Sequence, residues 1–224
     1  MIHSYYYHIK EDCKNNYALL EKNLNNSDKN RYEKIINIKQ KQQFLIARYL
    51  LNKLLSDYYN IDYKTLIINI AQYGKPYIAN SNLCFNISHS SNLIIVAISN
   101  NCLGIDVEQI KSIDNHNLYN AMLDKVIHPY EHNFIKKTQI KDFYKAWCIK
   151  EAFCKYHSFG FAQKNPCDYY IIKQKLPNNT SISLNNHQKD DLFGYITKIK
   201  DNICAIVSNQ KTLIKINEIK DIRI

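Results

Sequence analysis

Along residues 140–160 the apolar positions return every third or fourth residue, at Phe143, Ala146, Trp147, Ile149, Phe153 and Cys154. That period predicts an amphipathic helix, and Gly160 stands where it should stop. Trp147, Glu151 and Lys155 are spaced by four and share one face, with Lys150 beside them. By itself the face describes a helix surface with a Glu151–Lys155 pair worth about 0.2–0.5 kcal/mol. At Gly104-Ile105-Asp106-Val107-Glu108 the period changes to two. This predicts a strand with Ile105 and Val107 on one side and Asp106 and Glu108 on the other, outward side. Between the apolar run that ends at Phe85 and the run Leu93–Ile98, the polar stretch Ser88-His89-Ser90-Ser91 predicts a break between two strands.

The remaining pattern fills in a mixed chain. Residues 1–10 read as a strand. Residues 27–60 read as helical, with Ser27-Asp28 as N-cap and a stripe of Phe44, Ala47, Leu51, Leu54 and Leu55 that has Arg48 within it. Tyr63–Ala71 reads as a strand running into the turn Tyr73-Gly74-Lys75-Pro76. Residues 83–108 read as three strands, and residues 111–139 as helix and loop, with Pro129 starting a helix at Tyr130-Glu131-His132. Further strands are predicted at Asp168–Lys173 and in a hairpin of Leu192–Ile199 with Ile203–Val207. Leu176–Ser181 and Asn185–Asp190 read as polar turns. The fold class is α+β (α/β mixed). A helix (38–58) followed by strands is echoed by a second helix (140–158) followed by strands, so the chain divides into halves at 1–102 and 103–224.

Composition narrows the function classes. The 224 residues suffice for a proper core, and 46% apolar content is that of a globular protein. Thirty basic against twenty acidic residues give a net charge of +10, which favours an anionic partner. Seven cysteines without a C-x-x-C pair form neither a zinc signature nor a disulfide framework, and point to a reduced compartment. The start Met1–His8 lacks signal-peptide blocks, and no run reaches the roughly 18 apolar residues of a membrane span. A cytoplasmic protein without a membrane partner is expected.

The chemistry lies in the three stretches first singled out. Two neighbouring carboxylates on one strand face repel, and a cation or solvent relieves that repulsion, so the stretch by itself also fits an ordinary strand with a solvated acidic face. If the helix bearing Glu151 packs across the strand end, three carboxylates converge near lysines. Such a set of hard oxygen ligands suits Mg²⁺ shared with phosphates. Phe85-Asn-Ile-Ser-His-Ser90, Gly104–Glu108 and Trp147-Cys-Ile-Lys-Glu-Ala-Phe-Cys-Lys155 occur in that order. Together they resemble the 4′-phosphopantetheinyl transferases of the surfactin-synthetase-activating type. That family carries F-N-[IL]-S-H-S, then G-[IV]-D-[IV]-E, then W-x-x-K-E-A-x-x-K. Gln72–Pro76 and Ala47–Leu51 extend the likeness, which runs from about residue 25 to 175.

The resemblance implies a pseudo-twofold pair of similar α/β halves with the ligand between them. It implies a monomer that transfers 4′-phosphopantetheine from coenzyme A to a serine of an acidic apo acyl or peptidyl carrier protein. Asp106, Glu108 and Glu151 would hold Mg²⁺. Glu151 would take the serine proton, and Lys155 would meet the departing phosphate, with Lys150 and His89 in support. Coenzyme A would be bound by Arg48 (at its 3′-phosphate), Lys75, Pro76, Ser88, His89, Lys155 and Lys29. Arg31 would add a basic contact, and Glu131 matches a family acid near the metal. The alternative from another class is a basic nucleic-acid-binding protein. Against it stand the acidic trio and the absence of any nucleic-acid-binding motif.

Overall fold

A computed structural model describes residues 1–10, 17–131, 139–160, 165–168, 170–176, 179–185 and 192–222. In chain order the elements are β1 (Ile2–His8), α1 (Tyr17–Lys22), α2 (Asn26–Glu33), α3 (Ile38–Tyr59), β2 (Ile68–Ile70), β3 (Pro76–Ile78), β4 (Cys84–Ser90) and β5 (Leu93–Ser99). There follow β6 (Leu103–Gln109), α4 (His116–Val126), α5 (Ile140–Tyr156), β7 (Tyr170–Leu176), β8 (Asn179–Asn185), β9 (Phe193–Ile199), β10 (Asn202–Ser208) and β11 (Ile214–Glu218). They form two compact units. One comprises Met1–Asn101 with Thr212–Ile224, and the other Cys102–Lys211. The division expected at residue 102/103 thus differs at the far end, where the last residues return to the first unit.

In the first unit the sheet order is β11-β1-β5-β4, with β2 and β3 paired separately. The expected single helix over 27–60 is two helices. The side chain of Asn25 caps α2 by accepting from the Asp28 N–H at 2.9 Å, and Asn37 caps α3 by accepting from Gln40 N–H at 3.0 Å. A polar side chain that satisfies an orphan N–H starts a new helix at each place. Ser27 and Asp28 lie inside α2 and do not cap it. Helix α3 ends at Asn60, whose φ of 53° is one that asparagine tolerates. Its stripe of Leu45, Ile46, Leu50, Leu51, Leu54 and Leu55 packs with Tyr5, Tyr7, Ile94, Val96 and Ile98 from β1 and β5. The strand expected over Tyr63–Ala71 begins instead as a 3-10 turn (Tyr63–Thr65) capped by Asp62, so only Ile68–Ile70 pairs.

The second unit has a five-stranded sheet in the order β6-β10-β9-β8-β7. Helix α5 covers it with a core of Phe143, Ala146, Ile149, Phe153, Ile203 and Ala205. The expected hairpin is β9–β10. The stretch Leu176–Ser181 is not all turn, because from Asn179 it forms β8, which pairs with both β7 and β9. The expected helix start at Pro129 is a 3-10 turn over Pro129–Glu131. His132 and residues 186–190 lie outside the described residues. Among those described, no helix is long and apolar enough to cross a membrane, and the six cysteines form no disulfide with one another.

Candidate active site

Alternation along β6 puts Gly104, Asp106 and Glu108 on one face, and α5 lies against that face. Their partners on β10 are Val207, Ala205 and Ile203, which belong to the α5 core. Gly104 makes the approach possible. A Cβ there would stand 2.0 Å from the Ala152 carbonyl oxygen and 2.4 Å from the Tyr156 nitrogen. The acidic face is therefore not the outward one expected from sequence. The helix covers it, leaving Asp106 3% exposed and Glu108 half-buried.

Contact at Gly104 sets the helix turn 152–156 directly over Asp106. Lys155 Nζ donates to Asp106 Oδ1 at 2.7 Å. Burial alone would lower the lysine's pKa, but the charge of Asp106 and its hydrogen bond, aided by Glu151 and Glu108, raise it. Glu151 sits one turn earlier and half-buried. Burial, and then repulsion from Asp106, push its carboxyl up to about 7, with Lys155 opposing and Glu108 adding to the rise. Asp106, Glu108, Glu151 and Lys155 thus share one field, in which three carboxylates face one ammonium when all are charged.

That donor set matches Mg²⁺ in ligand type and in its excess of negative charge. The groups are not drawn into a closed metal cluster, and none of three or more His, Cys, Asp or Glu exists among the described residues. Cys148 packs beneath, donating to the Ile203 carbonyl at 3.4 Å, and burial raises its thiol pKa well above the usual value. It is a packing residue.

Lys150 requires a correction. It is fully buried, and its ammonium donates to Glu131 Oε2 at 2.7 Å, the Val126 carbonyl at 2.5 Å and the Pro166 carbonyl at 3.0 Å. Glu131 is equally buried and also accepts from the His128 N–H at 2.6 Å. One residue's step along a helix is about 100°, so Lys150 points away from the face that carries Cys148, Glu151 and Lys155. The structure thus places the ammonium on these three acceptors, off the face expected for it, and Glu131 joins Lys150 instead of the acidic trio.

The first unit has its own cleft, of about 310 Å³, with Arg31, Gln40, Phe44, Arg48, Pro76 and His89 in its walls. Arg48 is buried. Its Nε and Nη2 donate to Asp28 Oδ2 and Oδ1 at 2.7 and 3.0 Å, and its guanidinium lies 4.5 Å from the centre of the Phe44 ring. Tyr63 Oη donates to Asp28 at 2.5 Å, and Arg31 Nη1 approaches the same carboxylate at 3.3 Å. Burial, and then the charge of Arg48, lower the Arg31 pKa against the pull of Asp28. Two guanidiniums thus face one carboxylate, so the cleft wall is net positive.

His89 is exposed on the same face of β4 as Phe85 and Ile87, whereas Ser88 is buried on the other. The polar break expected at Ser88–Asn92 begins only at Ser91, since Ser88, His89 and Ser90 belong to β4. Lys75 is half-buried in a turn where Gly74 adopts a φ of 88°. Neither Lys75 nor the exposed Lys29 of α2 lines the cleft. Sequence reasoning gave Asp28 only a capping role and gave Tyr63 none. The spacing of Asp28 to Arg31, one helical turn, was the available signal.

Two family models match adjoining parts of the chain. Residues 11–101 match "4'-phosphopantetheinyl transferase, N-terminal", and residues 102–207 match "4'-phosphopantetheinyl transferase superfamily". The chain belongs to the 4′-phosphopantetheinyl transferase superfamily. It is an enzyme of that class. A relative from Aneurinibacillus migulanus, 4'-phosphopantetheinyl transferase gsp, is 28% identical over 88% of this chain and 82% of its own. The Bacillus subtilis (strain 168) transferase Sfp is 28% identical over 62% of each chain, so the match spans less than two thirds of that relative. A solved holo-(acyl-carrier-protein) synthase from Bacillus anthracis in complex with CoA (3',5'-ADP) aligns at a TM-score of 0.40 and 16% identity. That alignment covers 47% of this chain and 92% of that one.

Proposed function

We propose that this transferase moves 4′-phosphopantetheine from coenzyme A to a serine hydroxyl of an apo acyl or peptidyl carrier protein, releasing adenosine 3′,5′-bisphosphate. The observation that carries the assignment of residues is the Lys155–Asp106 pair, with Glu151 and Glu108 in the same field. The serine oxygen forms a bond to the β-phosphorus as the bridging P–O bond breaks, and the bond's electron pair leaves on the bisphosphate. Glu151 is the carboxylate of this face that would accept the serine proton. Lys155 supplies a positive charge and a proton donor to the departing oxygen. Asp106, Glu108 and Glu151 would hold Mg²⁺, which when bound neutralises the diphosphate. The net-positive wall of Arg31 and Arg48, with His89 beside it, suits the 3′-phosphate end of coenzyme A.

The surplus of basic residues supports an acidic carrier surface as partner, and the cysteine spacing, without a disulfide framework, supports a reducing, cytoplasmic setting. We assign the enzyme as a monomer. Nucleic acid is set aside as a partner, because net charge alone favours it. The test is intact-mass measurement of an apo acyl carrier protein after incubation with enzyme, coenzyme A and Mg²⁺. Gain of one phosphopantetheine on a serine is expected. An unchanged carrier mass across acyl and peptidyl carriers would overturn the proposal.

A further inference from the structure

Three segments that are separate in sequence end on one ammonium group. Val126 is the last residue of α4, and its carbonyl is one of the helix-end acceptors that lack an intrahelical donor. Glu131 closes the 3-10 turn Pro129–Glu131, and Pro166 opens another at Pro166–Asp168. Lys150 Nζ bonds to all three at 2.5–3.0 Å from the back of α5. Cys167 reinforces the same junction, with its Sγ 3.1 Å from the Asp124 carbonyl. Lys150 precedes Glu151, and the front of the helix is fixed by a contact without slack, where Gly104 meets the Ala152 carbonyl.

We infer that Lys150 and Glu131 form a positioning clasp that fixes the rotation of α5 and so aims Glu151 and Lys155 at the reacting phosphate. The inference rests on the catalytic reading of Glu151 and Lys155. A buried ammonium that served only stability would be an expensive choice, since a well-packed apolar pair of similar volume does as well or better. What an apolar pair cannot do is bind the ends of α4 and the Pro166 turn to one point on the helix. Loss of the clasp lets α5 turn about its axis, and a misplacement of about 1 Å at a reacting group costs about 100-fold in rate.

Lys150→Met and Glu131→Gln each leave a buried polar group unpaired and lower stability, so the decisive variant is Lys150→Met/Glu131→Leu. It removes both charges together. Single-turnover transfer to an apo acyl carrier protein is measured beside thermal melting and the KM for coenzyme A, with Glu151→Gln in parallel. The clasp predicts a double variant that folds, melting below the wild type because the Val126 and Pro166 carbonyls and the His128 N–H lose their partners, binds coenzyme A normally and is slower by about 100-fold in kcat. A wild-type kcat from the folded double variant would overturn the clasp. So would a raised KM for coenzyme A with unchanged kcat, which would return Lys150 to direct phosphate contact. If Glu151→Gln also turns over at the wild-type rate, the catalytic reading beneath the clasp has fallen. If Glu151→Gln is slow and the double variant fast, only the clasp has.

Discussion

Lys155 and Asp106 form an ion pair of 2.7 Å in which the lysine side chain keeps 28% of its surface and the aspartate only 4%. The carboxylate is sequestered under α5, and the lysine side chain that ends on it keeps part of its surface open. Replacing Lys155 by Ala therefore does more than delete a surface charge. It leaves Asp106 buried beside Glu108 and Glu151 without the ammonium that pairs with it. Lys155→Ala is expected to lose at least about 100-fold in single-turnover rate, in the range of a lost electrostatic stabiliser. Its affinity for coenzyme A should fall by less. Rates at saturating coenzyme A check the first claim and equilibrium binding the second.

Gly104 tests the geometry beneath that pair. With its Cβ 2.0 Å from the Ala152 carbonyl, Gly104→Ala must push α5 off the sheet or break the turn at 152–156. A loss of about 2–3 kcal/mol in a urea melt is expected, at the upper end for overpacking by one methyl. Any folded fraction should be slow, because the displaced turn carries Lys155.

Arg48 and Arg31 separate fold from ligand in the first unit. Arg48→Ala takes two charged hydrogen bonds from the wholly buried Asp28 but leaves it Arg31 and Tyr63, and should cost about 1.5–3 kcal/mol of stability. Arg31 is 33% exposed and can be removed more cheaply. Arg31→Ala should weaken coenzyme A relative to 3′-dephospho-coenzyme A by about 1.5–3 kcal/mol, the range of a charged hydrogen bond. Calorimetric titration of both ligands gives the difference. Equal losses would place the 3′-phosphate elsewhere.

Glu151 couples the site to pH. Its carboxyl rises from an ordinary value of 4.5 to about 7 on folding, chiefly through burial and the charge of Asp106. Between those values the folded state holds a proton that the unfolded chain has released. The group's contribution to stability is therefore full below about 4.5 and lost as pH climbs through about 7. Without added metal, melting temperatures of the wild type relative to Glu151→Gln should fall across that window. Mg²⁺ should stabilise the wild type more at pH 8 than at pH 5.5, because protonation competes with the metal for the same oxygens.

The local periods of the chain carried much of the site. Alternation at Gly104–Glu108 and the four-residue spacing of Trp147, Glu151 and Lys155 each describe one element, and both elements form as read. What local patterns do not carry is which residue a buried charge finds. Lys150 and Lys155 look alike in sequence, yet one is enclosed by Val126, Glu131 and Pro166 and the other by Asp106. Arg48 and Asp28 are twenty residues apart, on different helices. Strand β11 pairs in parallel with β1 across nearly the whole chain, and no short window contains that information.

The central claim is that the face where α5 meets β6 carries the chemistry. Rapid-quench measurement of a single turnover by Glu151→Gln, with coenzyme A, Mg²⁺ and apo carrier all saturating, tests it most directly. The substitution keeps size and hydrogen bonding while it removes the carboxylate. A loss of about 100-fold or more, in a protein that melts no lower than the wild type, is the predicted result. A wild-type rate would contradict the account and reduce Glu151 and Lys155 to a helix-surface pair.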